Sequence, residues 1–173
     1  MTQTSGKRIV CVTGTVWTGS PAAPRHKLVR DGFKRPTWFT TSRPIHDGSY
    51  NLIDPAEFQK AKLENRVLAY IKHAGDYVGI MKADLEEALA ESPLGALIAC
   101  PQEIASQIAG ELPRTIVFVL KDIQMELCPE LSVAQKKGQL HRIDVDILAP
   151  GAWTEVHEKM SEIMGLPVRA FQF

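Results

Sequence analysis

The chain has 173 residues, of which 45% are hydrophobic and 23% charged, and its 20 basic and 20 acidic side chains give a formal net charge of zero. This composition is typical of a globular protein with one hydrophobic core, and it predicts a single domain over residues 1–173. Balanced charge gives no indication of nucleic-acid binding, and no apolar run is long enough for a signal peptide or a membrane span, so we expect a cytoplasmic protein.

Strands and helices are predicted to alternate along the chain. Apolar runs rich in β-branched residues predict strands at 8–13, 37–41, 67–73, 95–100, 115–120 and 142–148. Apolar side chains at helical spacing predict helices at 54–66, 82–92, 101–112 and 150–165. Asp54 is the strongest helix start, because Pro55 follows it directly and Glu57 lies three residues further on. The alternation predicts an α/β fold with a mostly parallel central sheet, and GDYVG at 75–79 is predicted to be a turn.

The segment VCVTGTVWTGSP has the glycine spacing of the phosphate-binding loop G-x-x-x-x-G-K-[ST]. In such a loop, backbone amides and a lysine hold the phosphates of a nucleotide, while a hydroxyl binds magnesium. Gly14 and Gly19 keep the glycine positions, but Ser20 stands at the lysine position and Pro21 at the hydroxyl position. The bulky Trp17 between the glycines is also expected to leave less space for a phosphate. The pattern predicts a degenerate phosphate loop that joins a strand to a helix and holds no nucleotide.

Four segments, taken in order, resemble guanylate kinase: RIVCVTGTVWTGS, the stretch from FTTSRPIHDGSY to MKADLEEALAE, TIVFVL, and HRIDVDILAPGAWTEVHEKMSEIM. The second is the most specific, because it follows the family's T-T-R-x-x-R-x-G motif, D/E-E-F helix start and G-x-Y-Y-G turn. The resemblance implies a three-layer P-loop kinase-like fold with a mostly parallel sheet. It also implies a small mixed β subdomain at about 36–80, like the GMP-binding region, and a shortened lid at about 121–140.

Few of the family's phosphate-binding residues have a match in this chain. Arg43 matches the first arginine of the T-T-R-x-x-R motif, whereas His46 replaces the second. Tyr50 is a candidate for the family's phosphate-binding tyrosine, although the loop before it is shorter. These three residues are the candidate site for an anion or a nucleoside monophosphate, since arginine binds such anions through two parallel hydrogen bonds. A solvated loop with one salt bridge is the alternative.

The groups that serve guanine and magnesium in the family have been replaced. The glutamate that reads the guanine edge falls on Ala69, and the D-x-D pair of a central strand falls on Ile98 and Cys100. The second tyrosine of the G-x-Y-Y-G turn becomes Val78. Phosphoryl transfer depends on positioned cations and metal ions. These replacements of the family's residues therefore predict a protein without kinase activity. No catalytic residue, metal ion or cofactor is expected.

Two functions stay open at this point. The first is a non-catalytic binding module that holds a protein or peptide in the former GMP cleft, as related guanylate-kinase-like domains of scaffold proteins do. The second is a divergent nucleotide-binding enzyme or residual (d)GMP kinase, which would use ATP and magnesium with Arg25 or Lys27 in place of the missing lysine. The absent carboxylates favour the first. Four aromatic residues are candidates for contacts in that cleft: Trp38, Tyr50, Tyr70 and Tyr77.

The remaining polar residues are given structural roles. Asp144 and Asp146 alternate on the last predicted strand and indicate an outer edge that resists pairing. His157 has no second histidine at zinc-binding spacing and is predicted to be an exposed helix residue. The three cysteines also lack metal-type spacing and are expected to be reduced: Cys11, Cys100 and Cys128.

Overall fold

The computed structural model describes residues 7–14, 32–42, 50–121, 127–144 and 151–166, excluding the side chains at 14, 121, 152 and 153. Within these ranges the chain forms nine strands and five helices. The strands are β1 (Arg8–Gly14), β2 (Phe33–Lys34), β3 (Trp38–Thr40), β4 (Tyr50–Leu52), β5 (Val67–His73), β6 (Asp76–Met81), β7 (Gly95–Ala99), β8 (Ile116–Lys121) and β9 (Leu140–Asp144). The helices are α1 (Pro55–Leu63), α2 (Lys82–Glu91), α3 (Gln102–Glu111), α4 (Pro129–Lys136) and α5 (Ala152–Met164). In the described ranges no helix has the length and apolar character needed to cross a membrane.

The central sheet has five strands in the order β2-β7-β1-β8-β9, and all neighbouring pairs are parallel. Successive strands are added on one side of β1 and then on the other, so the strand order reverses beside β1. In open α/β sheets, ligands bind outside the carboxyl ends of the strands at such a reversal. The predicted α/β fold with a mostly parallel central sheet is confirmed. Strand β9 is an edge strand with an exposed Asp144, as expected, while Asp146 lies outside the described residues.

A second, smaller sheet is mixed and has the order β4-β3-β6-β5. Strands β5 and β6 form an antiparallel hairpin whose turn is only Ala74 and Gly75, with φ of +50° and +87°. The predicted turn at 75–79 is therefore wrong beyond Gly75, since residues from Asp76 onward already belong to β6. Two residues with positive φ are enough to join β5 to β6, because a turn with this backbone twist matches the twist of the two strands.

The hydrophobic core is divided by the central sheet into two clusters, which gives the fold three layers. Strand β1 contributes to both, because its side chains alternate between the two faces. Cys11 belongs to the cluster with α2, α3, α4 and the small sheet, whereas Val10 and Val12 belong to the cluster with α5. The continuous apolar pattern of this strand thus follows from burial on both faces.

Two of the helices test particular sequence expectations. Helix α1 begins as predicted, since Asp54 is its N-cap and the carboxylate accepts a hydrogen bond of 2.7 Å from the backbone N–H of Ala56. Helix α5 forms, but His157 is only 1% exposed, so the prediction of an exposed histidine is wrong. The reason is its position beside Val156 and four residues before Ser161, on the helix face that packs against the central sheet.

Candidate functional site

The carboxyl ends of three central strands meet at one edge of the sheet, where the strand order reverses. Strand β1 ends at Gly14, which pairs with Leu120 of β8, and Val12 pairs with Ala99 at the end of β7. The next residue after β7, Cys100, donates its backbone N–H to the carbonyl of Val12 at 3.0 Å. In an open α/β sheet, a ligand is expected to bind next to these carboxyl ends.

Only the first residue of the predicted phosphate loop belongs to the described part of the chain. Gly14 is the last residue of β1, where the loop pattern places it. The other loop residues named from the sequence lie outside the described residues: Trp17, Gly19, Ser20 and Pro21. The preceding Thr13 is 3% exposed, and its hydroxyl has no hydrogen-bond partner among the described residues. That the loop holds no nucleotide stays a prediction.

Apolar groups occupy the end of β7, where the resemblance placed the D-x-D pair. Ile98 is 1% exposed and Cys100 is fully buried. Burial raises the pKa of the Cys100 thiol well above its usual value, and the neighbouring Cys11 thiol raises it further. Cys100 is thus an uncharged thiol at neutral pH, and neither side chain offers the oxygen ligands that magnesium requires. No group of three His, Cys, Asp or Glu side chains within the described ranges is arranged to hold a metal ion.

The small sheet presents two faces with different partners. We call the face toward the central sheet the inner face; there Trp38 packs against the core cluster that contains Ala69 and Ile80. Tyr50 pairs with Trp38 across β3 and β4, and the ring centroids are 6.4 Å apart. Phe39, the next residue of β3, points to the opposite side, as alternation along a strand requires. We call that side the outer face.

The outer face carries an aromatic cluster centred on helix α1. Phe58 is fully buried, and its ring lies 5.5 Å from that of Phe39. Tyr77 stacks on Phe58 with centroids 4.4 Å apart, and Tyr70 meets Phe58 edge-on at 5.2 Å. The four aromatic residues proposed for one cleft are therefore separated: Trp38 and Tyr50 lie on the inner face, while the other two lie with Phe58. The sequence gave little signal for this division beyond the alternation in β3 and β5.

A polar network fixes the chain where it leaves β3 toward the candidate anion site. The backbone N–H of Thr41 donates to the carbonyl of Tyr77 at 3.0 Å, and the N–H of Tyr77 donates back to Thr41 Oγ1 at 2.9 Å. Thr41 Oγ1 in turn donates to Asp76 Oδ1 at 3.2 Å. Arg43 and His46 lie outside the described residues, whereas Tyr50 begins β4 on the inner face. The Thr41 and Asp76 pair was not predicted from the sequence.

The stretch that the resemblance likened to a shortened lid contains helix α4. Leu131 of this helix is fully buried in the cluster that includes α3. The backbone N–H of Cys128, the N-cap of α4, donates to Gln102 Oε1 in the first turn of α3 at 2.8 Å. Helix α4 is therefore packed against the body of the protein.

Comparison with known proteins gives a structural likeness only. No protein-family model matches the sequence, and no curated protein matches it. Among solved structures, the chain is similar to the guanylate kinase from Anaplasma phagocytophilum, with a TM-score of 0.62 and 15% sequence identity. The likeness covers 93% of this chain and 86% of that chain. The protein therefore has a guanylate kinase-like fold.

Proposed function

We propose that this protein uses a guanylate kinase-like fold as a non-catalytic binding module and has lost kinase activity. The observation that carries the proposal is the end of β7, where Ile98 and the uncharged thiol of Cys100 are buried at the positions that the resemblance assigns to the metal- and guanine-binding carboxylates. Neither side chain can fix a magnesium ion there, and transfer of a phosphoryl group depends on cations fixed in advance by the protein.

Strand β5, where the resemblance places the glutamate that recognises guanine, supports the same proposal. Ala69 is 1% exposed and packs in the core, so its methyl group offers no hydrogen bond to a guanine edge. A site discriminates between bases through polar groups that the wrong base would leave unpaired. Guanine specificity is therefore not expected on the inner face.

We place the proposed binding site beside Tyr50 and near the carboxyl ends of β1 and β7, where the resemblance puts the GMP cleft. Its ligand is a protein, a peptide or an anionic group, for which Arg43 and His46 would supply positive charge beside Tyr50. In this proposal the segment from Gly14 to Pro21 is a degenerate phosphate loop without nucleotide. The whole of 1–173 acts as one domain, with 36–80 as the ligand-holding subdomain and 121–140 as the region that corresponds to the family's lid.

The test is a calorimetric and thermal-shift titration with ATP, ADP, GMP and GDP, each with and without magnesium. A ligand at 100 times its dissociation constant stabilises a fold by about 2.7 kcal/mol, which a thermal shift detects easily. We expect no magnesium-dependent shift with any of the four, and no turnover in a coupled assay with ATP and GMP. An active guanylate kinase run in parallel serves as the positive control.

Magnesium-dependent binding of ATP would contradict the proposal and support the divergent enzyme instead. In that event, Lys27→Gln and Arg25→Gln variants would identify the substituting cation. If nucleotides do not bind, titration with inorganic phosphate and with a phosphorylated peptide tests the anion site directly. We expect Arg43→Gln to weaken that binding, whereas Arg114→Gln, which changes an exposed arginine before β8, should leave it unchanged.

A further inference from the structure

Two tyrosines and two lysines form a continuous patch on the outer face of the small sheet. Tyr70 and Tyr77 are both half-buried, and their ring centroids are 6.0 Å apart. Lys62 Nζ lies 5.1 Å from the centroid of the Tyr70 ring, and Lys72 Nζ lies 5.7 Å from that of Tyr77. We call these four residues the outer tyrosine patch.

The tyrosines of this patch are held rigidly from below. Phe58 is fully buried beneath them and contacts both rings. At the outer edge of β5, Gln107 of α3 accepts the backbone N–H of Tyr70 at 3.0 Å and donates to its carbonyl at 2.8 Å. A fixed tyrosine loses little conformational entropy when a partner binds, which favours its use in an interface. The side chain of Gln107 also closes this edge at Tyr70, so a partner must bind through side chains rather than as an added strand.

The two lysines of the patch carry positive charge that no carboxylate of the described ranges neutralises. Glu64, the acidic residue that follows α1, pairs instead with Lys60 and Arg66. The nearby Tyr70 hydroxyl raises the pKa of the Lys62 ammonium, so this positive charge persists to higher pH than that of an isolated lysine. Lysines resting over tyrosine rings gain cation–π energy, and they keep donors that a carboxylate can use.

We propose that the outer tyrosine patch binds an acidic peptide segment of a partner protein, whose carboxylates pair with Lys62 and Lys72 and accept hydrogen bonds from the phenol groups of Tyr70 and Tyr77. Charge complementarity selects this partner. Nucleic acid is less suitable, because the chain has zero net charge and two lysines neutralise few phosphates. The patch lies opposite to the inner face, so this proposal does not depend on what the cleft binds.

The experiment measures the fluorescence anisotropy of fluorescein-labelled hexaglutamate with the full chain at low ionic strength. Binding should weaken as salt is added, since exposed charge pairs are screened. The Lys62→Glu/Lys72→Glu variant should bind about tenfold more weakly or not at all, because two exposed charge pairs become repulsive. Its control is Lys136→Glu/Lys137→Glu, which changes net charge equally at exposed lysines of α4 and the residue after it, and should bind like the unmodified chain.

A second variant separates the phenol groups from the charges. Tyr70→Phe/Tyr77→Phe keeps the rings that pack on Phe58, so the free energy of unfolding should change little while affinity falls a few-fold. Equal affinity for hexaglutamate and hexaglutamine would overturn the proposal, as would an equal loss in both charge variants. Tighter binding of an oligothymidine through Lys62 and Lys72 would overturn it in favour of nucleic acid, and no hexaglutamate binding at millimolar concentration would also overturn it.

Discussion

Replacing Gly79 by alanine should destabilise the small sheet that carries both proposed binding surfaces. Gly79 lies in β6 between its partners Phe39 of β3 and Tyr70 of β5. A Cβ at this position would lie 2.2 Å from the carbonyl oxygen of Ala69 and 2.9 Å from both Phe39 Cζ and Tyr70 Cα. Since the first and last of these are backbone atoms, β5 and β6 would have to separate, and rotation of one side chain cannot relieve the contact.

The expected cost follows from that geometry. Overpacking a well-packed interior typically costs about 1–3 kcal/mol, and backbone obstacles place this site in the upper half of that range. The reduced entropy of the unfolded chain offsets only about 0.4–1 kcal/mol. We therefore expect Gly79→Ala to lower the free energy of unfolding by about 2 kcal/mol, and the melting temperature by roughly 4–8 °C for a chain of this size.

The matched control is Gly110→Ala in helix α3, where an added Cβ has no heavy atom within 4 Å. Alanine is the better helix former, so this variant should be more stable by up to about 1 kcal/mol. Urea unfolding followed by circular dichroism gives both values, and the denaturant slope should stay constant. If Gly79→Ala unfolds within about 0.5 kcal/mol of the unmodified chain, the packing described for β3, β5 and β6 is incorrect.

Two further predictions concern the strand edge and the buried thiol. Gln107→Ala should raise the rate of amide hydrogen exchange at Tyr70 and lower the free energy of unfolding by about 1–2 kcal/mol, because two backbone groups lose their partner. Gln107→Glu should still accept the hydrogen bond from the N–H of Tyr70, but it cannot donate one to the carbonyl. The raised pKa of Cys100 means that the unfolded chain loses the thiol proton first, so stability is full below about pH 8.5 and falls as pH rises above it. Unfolding measured between neutral and alkaline pH should show this decline, and Cys100→Ala should reduce it; an identical decline in both chains would contradict the assignment.

Local patterns determined much of the secondary structure before any tertiary contact was known. The strand predicted at 67–73 is β5 as observed, and the helix predicted after Asp54 starts there because its cap, proline and first turn are all contiguous in sequence. The strands at the centre of the sheet were also evident from the sequence, since burial on both faces leaves a continuous apolar run. The order of the motifs along the chain also predicted a guanylate kinase-like fold, which the similarity to a solved guanylate kinase structure supports.

Contacts between residues distant in sequence were decided by the tertiary structure alone. The hairpin turn at Ala74 was missed because a positive φ in alanine leaves no mark in the sequence. The burial of His157 depends on which face of α5 meets the central sheet, and the opposite placement of Tyr50 and Tyr70 depends on how α1 covers one side of the small sheet. The sequence by itself thus predicted the longer strands and helices and showed which family residues have no match in this chain, because these are properties of short segments, whereas β2, β4, β6 and α4 were not predicted. Which surfaces the protein offers to a partner was decided only by packing, because a strand alternates its side chains and the covering helix determines which side stays accessible.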